Sequence, residues 1–220
     1  MKSISKVLVV AATVVLQCLA ISYLIYRYER ILKSGEEVSF KCRAYDPRDP
    51  LRGRYLRVSV EGSTTNVFMK EKIDVNRRHQ YNDKFFVRIE PSTNGFWCVA
   101  EAALNPQREG IWIKPQSSHV EFCLSYNEKK DNENYGDFYN RQKKSGLKVR
   151  TSLPNQLFLN EKIAPEADKI LMKEREKLVA KYKVYDGKII ITDILVDDKP
   201  IVELAKEKKK DDSKNNGSRK

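Results

Sequence analysis

The stretch EEVSFKCRAYDPRDPLRGRYLRVSV, Glu36 to Val60, holds two runs of alternating side chains on either side of a stiff, charged corner. In the first run Val38, Phe40 and Cys42 point one way while Ser39, Lys41 and Arg43 point the other. In the second, Leu56, Val58 and Val60 oppose Tyr55, Arg57 and Ser59. A period of two is the mark of a strand half buried against a core. Downstream the pattern recurs. In KFFVRIEPSTNGFWCVAEAAL, Phe85, Val87 and Ile89 share a face, Asn94-Gly95 marks a hairpin turn, and Phe96, Cys98 and Ala100 continue beyond it. GIWIK and SHVEFCLSY add two strand candidates, the second setting Val120, Phe122 and Leu124 against His119, Glu121 and Cys123. The chain is thus expected to be mainly β as far as about Tyr126.

The last third changes character. NEKKDNENYGDFYNRQKKSG has too few aliphatic residues for a core and is expected to be a loop with at most one helical turn. APEADKILMKEREKLV places Pro165 in a first helical turn and sets Ala167, Ile170, Leu171 and Leu178 on one stripe, which predicts a single amphipathic helix. Asp186-Gly187 between Val184 and Ile189 predicts a second hairpin. The expected fold class is α+β: an N-terminal transmembrane helix, then a mainly antiparallel β domain with one late helix.

Upstream of the strands, Val7 to Tyr26 reads VLVVAATVVLQCLAISYLIY, without a charge. At about 1.5 Å per residue this run spans the roughly 30 Å hydrocarbon core of a bilayer. Lys2 and Lys6 precede it, Arg27, Arg30 and Lys33 follow it, and Tyr23, Tyr26 and Tyr28 sit at its far end as interfacial aromatics do. A cleaved signal peptide has a shorter apolar core, so an uncleaved anchor is favoured, with Ala20-Ile21-Ser22 as the rival cleavage site. The expected organisation is an anchor and juxtamembrane segment over 1–33, a β-rich domain over 34–202, and a disordered basic tail over 203–220. The domain is placed on the extracytoplasmic side, because long domains translocate largely regardless of flanking charge.

Composition narrows the function classes. The 220 residues carry a net charge of +12, with 33% charged and 40% hydrophobic side chains. Nucleic-acid binding would use such a balance, but the excess is spread out, and aromatics lie in the strands rather than along a basic groove. Beside a membrane helix the charge favours anionic lipid, for which Arg27, Arg30 and Lys33 are best placed as headgroup contacts. Catalysis has little support, since His79 and His119 are far apart and no nucleophile elbow or Ser/Lys pair stands out. Neither metal nor cofactor is expected: Cys98 and Cys123 lack the companions that zinc sites use. Cys42, Cys98 and Cys123 allow at most one bridge, and three reduced thiols is the simpler expectation.

The charged corner is the feature left over. Pro47 and Pro50 fix their own φ and push Asp46 and Asp49 toward extended backbone, while Gly53 lets the chain turn into the strand. Internal pairing of Asp46 and Asp49 with Arg48, Arg52 or Arg54 would merely cap the strand, each exposed pair contributing roughly 0 to 1 kcal/mol. A free guanidinium fork, Arg52 first, would instead hold a carboxylate or phosphate. The candidate binding loop is therefore Asp46, Arg48, Asp49, Arg52, Gly53, Arg54 and Tyr55.

These residues also carry a resemblance. ERILKSGEEVSF after an N-terminal helix, then the DPRDPLRG run, then LFLNEKIAPEADKIL and YDGKIIITDILVDDKPI, are similar to the GDYXXLXY family of bacterial membrane-anchored proteins. The namesake motif departs from the pattern: Gly53-Arg54-Tyr55 stands for Gly-Asp-Tyr, and Val58 and Val60 for Leu and Tyr. The resemblance implies a tethered extracytoplasmic domain, and the family has no assigned reaction. The expectation is an accessory or interaction module at the bacterial inner membrane, contacting the bilayer and another membrane protein. The alternatives are a hydrolase assembled around the corner and an anionic-lipid sensor.

Overall fold

The computed structural model describes residues 2–45, 55–61, 66–69, 73–123, 129–130, 133–145, 147–175 and 177–217. In chain order the elements are α1 (Lys2–Ser34), β1 (Glu36–Ala44), β2 (Tyr55–Val60), β3 (Asn66–Phe68), β4 (Phe86–Pro91), β5 (Trp97–Ala103), β6 (Ile111–Ile113), β7 (Ser117–Phe122), α2 (Tyr135–Ser145), β8 (Leu147–Ser152), β9 (Gln156–Phe158), α3 (Ala164–Lys173), β10 (Leu178–Tyr185), β11 (Lys188–Val196), β12 (Lys199–Pro200) and α4 (Ile201–Gly217). A short 3-10 helix, Val75–Tyr81, precedes β4. The fold is α+β, with one long apolar N-terminal helix, antiparallel sheets and later helices.

Among the described residues the six-stranded sheet has the order β12-β11-β10-β1-β2-β9, and β3-β8-β7 and β5-β4-β6 form two three-stranded sheets. The expected alternation is realised in β1 and β2: Val38, Phe40, Cys42, Leu56, Val58 and Val60 are all buried. Across the ladder Phe40 lies opposite Ala180, and its ring meets the edge of Tyr182 at 5.5 Å between centroids. The Tyr182 hydroxyl donates to the Pro154 carbonyl at 2.6 Å, so this buried phenol has its polar end satisfied.

Both predicted hairpins form. Tyr185 pairs with Lys188 around Asp186-Gly187. The Asn94-Gly95 turn is longer than two residues: Ser92 N donates to Phe96 O at 2.8 Å, and Gly95 takes a φ of 82°. The phase of β5 differs from expectation. A register shift at Arg88/Ile89 turns Val99 and Ala102 inward and leaves Cys98 and Ala100 half-buried.

Three further segments differ from the sequence expectation. The interval taken as loop contains α2, which Asn134 starts: its Oδ1 accepts from Asp137 N at 2.9 Å. Phe138 is the buried side chain that seats it, too little for a periodic signal. The amphipathic helix stops at Lys173, and Leu178 opens β10 instead, because from Leu178 to Tyr185 burial alternates strictly. The segment expected to be a disordered tail begins as α4, whose Ile201 and Ala205 are fully buried one turn apart and pack on the α3 side of the sheet.

All described cysteines are free thiols. Cys42 is fully buried between Leu178 and Val60, and burial pushes its thiol from the ordinary 9.0 to about 12. We expect Cys42 to resist alkylation in the native protein and to react once denaturant is added, while half-exposed Cys123 reacts in both; labelling read by mass spectrometry checks this. The unfolded thiol ionises near 9 and the folded one near 12, so this contribution to stability is whole below pH 9 and is lost as pH rises toward 12.

α1 runs unbroken into the domain. Leu8–Ser34 is long and apolar enough to cross a membrane, and none of its apolar window is buried inside the protein. Its last turn does touch the sheet: Ile31 is buried, Gly35 N donates to Ile31 O at 2.9 Å, and Lys183 Nζ donates to Gly35 O at 3.2 Å. No linker separates helix from strand.

Candidate binding face at the mouth of the charged corner

Asp46, Arg48, Asp49, Arg52, Gly53 and Arg54 lie outside the described residues; Tyr55, the seventh residue of the candidate loop, opens β2. What the structure gives is the strand pair that flanks the corner in sequence, β1 and β2. Tyr45 N donates to Arg57 O at 3.1 Å, which closes the β1–β2 pair at the base of the corner. On the other side of β2, Tyr55 pairs with Phe158 and Arg57 with Gln156 of β9.

Directly opposed residues of an antiparallel pair share a face. Tyr45, Arg57, Tyr55 and Phe158 therefore form one cluster on the side away from Leu56 and Val58. The Arg57 guanidinium sits over the Tyr45 ring at 5.0 Å, and the Tyr55 and Phe158 rings are 5.9 Å apart. Tyr45 is 52% and Phe158 70% exposed, high for aromatic rings with no helix or loop among the described residues to cover them.

Electrostatics separate this end of the sheet from the rest of the same face. Farther along β1, the basic side chains are matched: Arg43 and Lys41 lie 3.0 and 3.8 Å from Glu61, and Lys181 and Lys183 lie 2.7 and 4.0 Å from Glu37. The Lys181 hydrogen bond holds the Glu37 carboxyl below its ordinary value of 4.5. Arg57 has no carboxylate partner among the described residues, and its Nε is buried with nothing to donate to. A cation held over one aromatic ring, with an unused donor, is suited to a carboxylate or carbonyl presented by another molecule.

The three residues expected to contact lipid headgroups divide. Arg27 and Arg30 face the turn between β10 and β11 across a cavity of about 130 Å³, whereas Lys33 turns to Glu29 at 3.0 Å. A larger groove of about 550 Å³ lies between α3, the β11–β12 turn and α4; its three lysines face two glutamates and Asp197, with no convergent chemistry. His79 is in the short 3-10 helix and His119 is exposed on β7. Among the described residues no group of three His, Cys, Asp or Glu is placed to hold a metal ion.

Sequence reasoning named Tyr55 but not Phe158, Tyr45 or Arg57 as parts of a site. Nothing in LFLN shows that Phe158 faces water, and only the β2–β9 register brings it to Tyr55.

The fold and this face define a β-rich domain carried directly on a single long apolar helix. The chain belongs to the GDYXXLXY protein family, whose profile matches residues 17–194, from within α1 to within β11. No curated protein and no solved structure matches it.

Proposed function

We propose that this chain is a membrane-anchored accessory module of the bacterial inner membrane, with α1 in the bilayer and the β domain on the extracytoplasmic side. Its docking face is the Tyr45/Tyr55/Arg57/Phe158 cluster together with the charged corner that joins Tyr45 to Tyr55 in sequence, and its partner is the extramembrane part of another membrane protein. The carrying observation is the pair of exposed aromatics, Tyr45 and Phe158, beside an arginine whose buried Nε has no hydrogen-bond acceptor among the described residues, since aromatic and arginine side chains dominate the energetics of protein interfaces. Distance supports the choice of partner. β1 leads straight from the end of α1 to Tyr45, and its nine residues extend about 30 Å at roughly 3.3 Å each. A face that far along the strand fits a partner with mass outside the bilayer.

The test is photocrosslinking in native membranes from a benzophenone side chain at Phe158 or Tyr45, with Tyr135, an exposed aromatic on α2, as control position. A single protein adduct from the first two and none from Tyr135 is expected. Equal adducts from all three positions, or none from Phe158 and Tyr45, sinks the proposal. With the captured partner purified, Phe158→Ala is expected to weaken binding about thirtyfold with the melting temperature unchanged, as for an exposed central aromatic.

A further inference from the structure

A second site stands at the other end of β1, where α1 meets the domain. Tyr23, Tyr26, Arg27 and Arg30 recur at i, i+3, i+4 and i+7, so they form one stripe of α1. That stripe faces Tyr185, Asp186 and Lys188 at the β10–β11 turn, and the cavity of about 130 Å³ lies between them. We propose that this cavity holds the phosphate of one phospholipid headgroup, with Arg27, Arg30 and Lys188 as its donors.

Depth is the first argument. Leu8 to Tyr26 covers about 28 Å at 1.5 Å per residue, close to the thickness of the hydrocarbon core, so Arg27 and Arg30 come at the level of the lipid phosphates. Two tyrosines at the membrane end of the cavity are the residues that favour this boundary.

Charge is the second. Three cations and one carboxylate line the space, and among the described residues Arg27, Lys188 and Asp186 have no ion-pair partner. Lys33, on the same helix but outside the cavity, is paired with Glu29 at 3.0 Å. The Arg30 guanidinium carbon lies 5.0 Å from the centre of the Tyr185 ring, a cation–π contact that holds the group at the cavity and uses none of its N–H donors. Asp186, held at a φ of 49° in the turn, adds an acceptor beside the phosphate, where a headgroup hydroxyl or ammonium would be. Free inorganic phosphate offers the same oxyanion, but the two tyrosines and the depth favour a lipid.

The inference rests on α1 spanning the bilayer, which alkaline carbonate extraction checks separately: release of the chain overturns both readings, retention leaves the cavity to be tested. The full chain is then purified in mild detergent, and its retained phospholipid is counted by native mass spectrometry. The wild type and Lys33→Gln are expected to keep one phospholipid, and the Arg27→Gln/Lys188→Gln double variant to lose it, with retention down about thirtyfold at an unchanged melting temperature. Equal retention in all three proteins overturns the site. An equal loss in Lys33→Gln overturns it too, because diffuse surface charge would then explain the binding. Saturation by millimolar inorganic phosphate with no lipid retained overturns the lipid source.

Discussion

Replacing Phe40 by alanine is expected to cost about 3 to 5 kcal/mol, the range for truncating a fully buried aromatic side chain. Phe40 has no exposed surface and lies at the middle of β1, the strand that joins the β10–β11–β12 half of the main sheet to β2 and β9. Truncation removes the ring's buried area, leaves a cavity against Tyr182 and forfeits the edge-to-face contact, itself worth about 0.5 to 1.5 kcal/mol. A domain of this size is stable by only about 5 to 15 kcal/mol, so much of the margin goes. Denaturant titration of the detergent-solubilised chain, followed by tryptophan fluorescence, measures it. A midpoint lowered without a change in slope is the expected result. A loss below about 1 kcal/mol would mean that the β1–β10 seam is not the core of the fold.

Why Phe40 could be named from sequence at all, while Phe158 could not, shows what local pattern carries. Phe40 belongs to a nine-residue strand whose alternation repeats on both neighbours, so its inward direction follows from period alone. Phe158 is the last of three residues in β9, too short for a period, and it lies opposite Tyr55, where β2 begins. The same holds for β5, where one register shift moved the inward position from Cys98 to Val99. α4 was hidden for another reason. Its lysine-rich composition reads as tail, yet two small or branched side chains, Ile201 and Ala205, suffice to seat its first turn. At the lipid cavity the helix stripe was present in the letters, but the opposite wall came from a turn some 160 residues away, which no spacing rule reaches. For Tyr45, Tyr55 and Arg57, which flank the Asp-Pro corner in sequence, the shared face came only from the register of β1, β2 and β9.

Gly35→Ala is the second large effect, and its sign is the informative part. At most positions where alanine fits, exchanging glycine for alanine stabilises a protein by about 0.4 to 1 kcal/mol, because the unfolded chain loses freedom. At Gly35 the new methyl would fall well inside van der Waals contact of the Ile31 carbonyl oxygen and within 3.2 Å of both Lys183 Cβ and the Val184 carbonyl oxygen. Two of those three atoms belong to the backbone, one to the last turn of α1 and one to β10, so neither yields without moving an element. The expected outcome is a destabilisation of about 1 to 3 kcal/mol, the usual cost of overpacking. The displacement falls on the junction that connects the apolar helix to the sheet, where Lys183 caps Gly35 and Arg30 stacks on Tyr185. Gly35→Ala should therefore also weaken phospholipid retention at the cavity, whereas Phe40→Ala, placed deep in the sheet, should leave retention intact at denaturant concentrations where the variant is still folded. A Gly35→Ala chain as stable as the parent, with its lipid retained, would show that α1 and the sheet are joined loosely, and that the docking face is free to swing relative to the bilayer instead of standing at a fixed distance along β1.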